Sequence, residues 1–285
     1  MDFPFRLYNT EELYIEFIKL QKLINKTCTS LKTIIPIKRI GYKCSNAFFM
    51  YERYATPSKT KLSCIEYWNK NKYYITKYHQ SSINRDLQAS ISFLNHVPSQ
   101  FPVFVASYIY KLFNAKSIFD PYAGWGDRAL ASININYTGI DSNNNLKPLY
   151  ENMLNFYKDK FTSYVCMYFT KSETYISNNE TTYDLTFTSP PYWDKSHNVI
   201  EHYNNLNKGY LDFLITSLIP NIKHALKYSK NVCINMPSNM YDDVLKYSDI
   251  EPAKYNIFFK TRQNTKHNKS SVNNIIYCFK TDLKM

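Results

Sequence analysis

The sequence predicts an α/β fold: a mostly parallel seven-stranded sheet with helices on both faces, preceded by an N-terminal helical extension rich in aromatic and basic residues. Three observations carry this. From residue 101 onward, short apolar runs alternate with longer stretches of helical period. Two of those runs, SIFD (117–120) and YTGID (137–141), end in aspartate, and a glycine pair follows the first. The 285 residues, 44% hydrophobic and 20% charged, suffice for one large α/β domain with appendages and exclude a disordered chain.

Residues 11–26 carry apolar side chains at Leu13, Ile15, Phe17, Ile18, Leu20, Leu23 and Ile24, a spacing that suggests an amphipathic helix. Residues 30–100 interleave aromatic side chains (Tyr42, Phe48, Phe49, Tyr54, Tyr67, Trp68, Tyr73, Tyr74) with basic ones (Lys38, Arg39, Arg53, Lys70, Lys72, Lys77). Such a mixture suits a nucleic-acid surface, where cations meet phosphates and rings stack on bases. It suits equally a small aromatic core with a solvated lysine face. Residues 103–113 read as a helix and 117–120 as a buried strand, followed by a helix over 127–132. Strand 137–141, helix 146–157, strand 165–169 and strand 183–188 come next. A long helix over 211–228 leads into strand 232–235, and 255–260 with 274–280 read as a closing pair.

A net charge of +12, with 35 Lys and Arg against 23 Asp and Glu, favours polyanionic partners. An A·T-rich genome that enriches Lys and Asn accounts for the same surplus. The six cysteines form no C-x-x-C pair and no zinc spacing, so no metal site is expected and the thiols read as free in a reducing compartment. MDFPFRLYNTEEL lacks the apolar core of a signal peptide, and no run reaches the ~18 apolar residues of a membrane span. The expectation is a soluble, intracellular, cytoplasmic protein.

Three constellations carry chemistry. Asp120-Pro121-Tyr122-Ala123-Gly124-Trp125-Gly126 lies between a strand and a helix, where open α/β sheets bind ligands. Three of the chain's 5 glycines fall in this strand-turn-strand segment, and glycine admits close backbone approach. The third glycine of G-x-G-x-x-G is absent and no G-K-[ST] follows, so neither a dinucleotide fingerprint nor a P-loop is supported. A plain tight turn is the structural alternative. Asp141, ending the second strand, can accept hydrogen bonds from both ribose hydroxyls of a nucleoside, or can simply cap a helix. Thr188-Ser189-Pro190-Pro191-Tyr192 is the most specific. Two prolines fix the backbone and forbid helix, and Tyr192 offers a ring face for stacking.

These residues resemble the DNA amino-methyltransferases, which methylate N6 of adenine or N4 of cytosine. Phe119 to Gly126 is similar to that family's cofactor motif, and Ser189-Pro190-Pro191-Tyr192 to its catalytic [DNS]-P-P-[YFW] motif. DPYAGWGDRAL and FTSPPYW resemble a phage and large-virus group. The resemblance covers residues 98–236. It implies a Rossmann-like fold dependent on S-adenosylmethionine, with a catalytic domain over 98–285 and target recognition from the extension over 1–97 or from the C-terminal segment. It implies Gln100, Phe101, Pro102, Asp120, Tyr122, Gly124, Gly126 and Asp141 as cofactor-binding residues, with Glu173 near the cofactor's adenine. The catalytic residues implied are Ser189, Pro190, Pro191 and Tyr192, with Tyr192 and Trp193 receiving the base. DNA as partner, in a phage or restriction-modification setting, follows from the same likeness. The chain departs from its relatives at Tyr228-Ser229-Lys230-Asn231, where Gly-Gly is frequent, and at Asn273-Asn274, where Glu is frequent.

The implied chemistry is direct methyl transfer to an exocyclic amine, positioned by hydrogen bonds to Ser189 and the Pro190 carbonyl, without metal or covalent intermediate. A base in duplex DNA would have to leave the stack. Ser189, a weaker acceptor than carboxylate, leans the expectation toward N4 of cytosine over N6 of adenine. The alternatives are an RNA methyltransferase acting on guanine N2, and a non-catalytic nucleic-acid-binding module that retains the fold.

Overall fold

The computed structural model describes residues 3, 5–30, 34–36, 38–57, 61–78, 91–92, 95, 97–194, 199–200, 209–262 and 271–282. The first strand, β1 (Ser117–Asp120), is buried along most of its length and follows helix α4 (Val103–Leu112). The chain then alternates: α5 (Asp127–Ala131), β2 (Asn136–Asp141), α6 (Lys147–Phe156), β3 (Val165–Phe169), α7 (Ser172–Ile176) and β4 (Tyr183–Thr188). A two-stranded ribbon, β5 (Trp193–Asp194) and β6 (Val199–Ile200), departs from the end of β4. A helical run leads to β7 (Ser229–Asn235), helix α10 (Ser238–Lys246), β8 (Tyr255–Arg262) and β9 (Ser271–Lys280).

Seven strands form one sheet in the order β3-β2-β1-β4-β7-β9-β8. The expectation of a mostly parallel sheet holds for β3, β2, β1, β4 and β7. Both β9 and β8 run antiparallel to their neighbours, so the sheet is mixed. Strand alternation distributes side chains to two faces. Cys233, Ile276 and Cys278 join one buried cluster, while Val232, Ile234, Tyr277 and Phe279 join another.

The predicted long helix over 211–228 is not uniform. It comprises α8 (Tyr210–Phe213), a π-helical segment (Leu214–Leu218) and α9 (Ile219–Tyr228). Pro220 is the physical cause we assign. It has no N–H for the carbonyl one turn back, so the regular ladder is interrupted and the preceding turn widens. The side chain of Asn221 donates to the Ser217 carbonyl (2.9 Å) within this run.

The extension holds three helices: α1 (Thr10–Lys26), α2 (Tyr42–Ala55) and α3 (Cys64–Tyr78). Asn9 and Glu12 form a capping box that starts α1. Ser63 and Glu66 exchange the same reciprocal bonds before α3. The expected boundary at 97/98 is not a break in packing. Phe17, Leu20, Cys44 and Phe49 belong to the same buried cluster as Ile118, Leu185 and Phe187 of the sheet. Ile35 adds a parallel bridge to Phe259 of β8. Among the described residues of the extension, the region of α3 has a core of its own, built from Phe3, Cys64, Trp68 and Ile91. Trp68 is thus core, whereas Tyr73 and Tyr74 are 69% and 62% exposed beside exposed Lys70 and Lys72. The side chain of Lys77 lies outside the described residues.

Among the described residues no helix is long and apolar enough to cross a membrane. None of their His, Cys, Asp or Glu side chains group as a metal site.

Candidate active site

A cavity of about 930 Å³ opens at the carboxyl ends of the parallel strands. Its walls bring together Gln100, Phe101, Pro102, Tyr122, Gly124, Asp141 and the whole turn from Ser189 to Tyr192. Glu173 lines it as well. Two expected cofactor residues, Asp120 and Gly126, lie outside the lining and have other work.

Asp120 is fully buried beneath the cavity floor. Arg128 Nε donates to its Oδ2 at 2.6 Å, Tyr137 donates to the same oxygen at 2.6 Å, and Thr188 Oγ1 donates to Oδ1 at 2.6 Å. The Tyr122 N–H adds a longer bond at 3.3 Å. With its acceptor positions taken and its charge neutralised by Arg128, Asp120 organises the turn instead of touching a ligand. Arg128 carries the effect upward: its Nη2 donates to the Tyr122 carbonyl, and its guanidinium lies 5.4 Å from the Phe101 ring centre.

The two glycines of the turn differ. Both have positive φ, +65° at Gly124 and +79° at Gly126. A Cβ on Gly124 would meet nothing closer than 3.9 Å, so the space above it is cavity. A Cβ on Gly126 would stand 2.5 Å from the Phe49 ring of α2. Gly126 is therefore a packing glycine.

Asp141 faces the cavity from the end of β2. Gly124 N–H donates to its Oδ2 (2.8 Å) and Asn143 N–H to its Oδ1 (2.9 Å). Each oxygen keeps a second lone pair. Burial pushes the carboxyl up to about 6, opposed by those two backbone bonds.

Sequence reasoning missed a second carboxylate. Asp127, at the start of α5, lines the cavity, and its Oδ1 accepts from Ser45 Oγ (2.5 Å) and Gln100 Nε2 (3.1 Å). Burial pushes it up to about 7, against the pull of those bonds and of Arg53 and Arg128. Arg53, itself buried, donates through Nε and Nη2 to the Pro98 carbonyl at 3.2 and 2.6 Å. Helix α2 thereby holds the 98–102 segment against the cavity. Tyr42, Glu52 and Ala55 of α2 line it directly.

On the opposite wall, Tyr122 shares a hydroxyl contact of 2.9 Å with Ser217 in the π-helical segment, and Ser217 donates to Glu173 Oε2 at 3.1 Å. Ser189 Oγ lies 3.1 Å from the Tyr192 hydroxyl and 3.3 Å from Oδ1 of Asn235, the last residue of β7. The Tyr192 hydroxyl donates to that same Oδ1. Asn235 is 2% exposed and was not foreseen, although a polar residue ending a parallel strand is the signal that exposed Asp120 and Asp141. For Trp193 only the backbone, in β5, is described.

No protein-family model matches the chain, and no curated protein matches it. Solved structures do. TrmN from Thermus thermophilus aligns over 62% of this chain at 11% identity with a TM-score of 0.44, and the aligned part spans 48% of that protein. A SAM-dependent methyltransferase from Agrobacterium tumefaciens aligns over 65% of this chain and 64% of its own, at 10% identity and a TM-score of 0.44. A SAM-dependent O-methyltransferase from Thermotoga maritima shares 13% identity over 67% of this chain and 69% of its own, with a TM-score of 0.41.

Proposed function

We propose that the chain transfers a methyl group from S-adenosylmethionine to an exocyclic amino group of a nucleic-acid base, in DNA, with N4 of cytosine favoured over N6 of adenine. One observation carries the reading: Gly124 and Asp141 line the same cavity as Ser189-Pro190-Pro191-Tyr192. A methyl donor and its acceptor must share one cleft for in-line transfer, so joint lining is what the chemistry requires.

The residues present fit the cofactor. Asp141 offers two oxygens, each already fixed by a backbone N–H and each with a remaining lone pair, to the two hydroxyls of a ribose. Gly124 leaves open space beside it. When bound, S-adenosylmethionine supplies an electrophilic methyl group. The chain's own residues do the rest. Ser189 Oγ accepts a hydrogen bond from the amine, which localises the nitrogen lone pair for attack. Pro190 and Pro191 hold that oxygen in a backbone that cannot relax into helix. Tyr192, with its hydroxyl anchored to Asn235, presents its ring to a base. The basic surplus and the exposed Lys70, Lys72, Tyr73 and Tyr74 of α3 supply phosphate contacts and stacking faces.

The test is incubation with labelled S-adenosylmethionine and a mixture of duplex DNA, single-stranded DNA and RNA, then digestion and mass spectrometry of the nucleosides. N4-methylcytosine or N6-methyladenine from DNA is the expected product. Label in RNA alone refutes the DNA assignment, and no label in any base, with no cofactor binding by calorimetry, refutes the whole reading.

A further inference from the structure

We infer that Cys233 and Cys278 are a modification site: two thiols placed to form a disulfide, by exchange with a low-molecular-weight disulfide such as oxidised glutathione, that locks β9 to β7. It holds whether or not the chain transfers methyl groups, and it uses none of the cavity's residues.

The two cysteines lie directly opposite each other in the antiparallel pairing of β7 with β9. They are free thiols in the structure, their sulfurs 3.1 Å apart, with the Cys233 S–H directed at Cys278. Even two carbon atoms sit in favourable contact only at ~3.5–4.0 Å, and sulfur is larger. Buried cysteine otherwise serves as a small apolar residue, but packing alone favours sulfurs at full contact distance, not inside it. Facing residues of an antiparallel pair hold their Cα atoms ~4.5–5.5 Å apart, within the ~4.4–6.8 Å that a disulfide spans. Reaching the ~2.0 Å of an S–S bond asks for roughly 1 Å of approach, within the range of side-chain rotation.

A bulge creates this alignment. The register shifts between Val232, opposite Lys280, and Cys233, opposite Cys278. Unbroken pairing from Val232 would set Cys233 against Phe279, whose side chain belongs to the other buried cluster. A bulge disrupts the ladder locally and re-aims a side chain, and here it brings one thiol onto another. The other cysteines are placed differently: Cys28 and Cys166 are exposed, the Cys44 thiol donates to the Leu13 carbonyl, and Cys64 packs in the core beside α3.

The exchange balances. The thiolate of one cysteine attacks a sulfur of oxidised glutathione, breaks its S–S bond and releases one reduced glutathione. The second cysteine attacks the protein sulfur of the mixed disulfide and releases the other. Two thiol hydrogens pass to two glutathione molecules, and one protein S–S bond replaces one small-molecule S–S bond. Both cysteines are fully buried, and burial pushes the Cys233 thiol well above its usual range. Attack therefore waits for β9 to open from β7, and the same burial shields the finished bond from reductants. The bond joins residues 45 apart in sequence, which restricts the unfolded chain.

The full chain is equilibrated with oxidised glutathione in urea just high enough for iodoacetamide to label Cys233 and Cys278 in a parallel sample, so that access is established. Urea is then removed, remaining thiols are alkylated in denaturant without reductant, and the digest is read by mass spectrometry. The expected product is a peptide pair joined through Cys233 and Cys278, lighter by two hydrogens than the sum of its parts, while Cys28 and Cys166 carry glutathione. The urea midpoint of the treated protein should exceed that of the reduced protein, and Cys278→Ala should show no such rise. Cys233 and Cys278 found alkylated, or each carrying its own glutathione, overturn the inference, as does a bond from either one to a different cysteine. If Cys278→Ala fails to fold, the chain without exposed thiols, Cys28→Ser with Cys166→Ser, takes its place. It must give the same joined pair and the same rise in midpoint, and the absence of either overturns the inference.

Discussion

Replacing Gly126 by alanine separates the two glycines of the turn after β1. At φ +79° a residue with a Cβ costs about 1–2 kcal/mol. The new carbon would stand 2.5, 2.9 and 3.2 Å from three carbons of the Phe49 ring, well inside the ~3.5–4.0 Å of favourable contact. That ring is fully buried and packs edge-on to Tyr150 with centroids 4.9 Å apart, so it has little room to yield. Overpacking of this kind costs about 1–3 kcal/mol. The sum, about 2–5 kcal/mol, is a large part of the ~5–15 kcal/mol typical of a domain. Urea unfolding should show it as a lowered midpoint with unchanged slope. Calorimetry on the folded variant should return wild-type affinity for S-adenosylmethionine, because the lesion faces α2 and not the cavity. Adding Phe49→Leu should recover part of the loss, with a coupling of about 0.5–3 kcal/mol. If Gly126→Ala kept its midpoint and lost cofactor affinity, Gly126 would be the ligand contact the sequence suggested, and the packing argument would fall.

Three further outcomes are expected. Asp141→Ala should weaken cofactor binding by about 1.5–3 kcal/mol, the range for hydrogen bonds to a charged acceptor, and unchanged affinity by calorimetry would remove Asp141 from the site. Asp127 carries a folded pKa raised to about 7, above an unfolded value of ~3.9, so the native state holds its proton longer and stability falls as pH rises between those values. Asp127→Asn should flatten that part of the unfolding-midpoint profile, and an unchanged slope would show that other groups set it. Replacing Lys70 and Lys72 together by alanine should lower the slope of log affinity for duplex DNA against log salt by ~1–2, at about 0.9 per phosphate contact; an unchanged slope would mean that this face of α3 meets no phosphate.

The sheet strands and the cavity's central residues were legible because their signals are local. SIFD and YTGID are apolar runs that end in a carboxylate, and Ser-Pro-Pro-Tyr cannot be helix. The mixed edge was legible only as a closing pair, since strand order depends on contacts across the chain. Helices α2 and α3 were obscured because their apolar positions are largely Tyr, Phe and Trp, residues that serve cores and surfaces alike: Phe49 and Trp68 proved to be core, Tyr73 and Tyr74 surface. Asp120 was read as a ligand contact because a strand-terminal acid looks the same whether or not an arginine sits over it. The partner, Arg128, is only eight residues away, but nothing in the sequence states that its side chain turns back. The contacts of Asn235 were hidden because its partners, the Ile275 carbonyl and the Tyr192 hydroxyl, are both some forty residues distant in sequence.

The order of the last strands bears on how the protein comes into being on the ribosome. β9 is made after β8, yet it occupies the place between β7 and β8. While the chain emerges, the strand that β8 pairs with is not yet made, and the growing sheet ends at an open β7 edge. Over the same interval the amide of Asn235 has no Ile275 carbonyl to hold it. The cavity walls drawn from residues up to Glu173 are therefore made before the amide of Asn235 is fixed. Synthesis itself thus makes the glycine turn and Asp141 before the carbonyl that fixes the Asn235 amide.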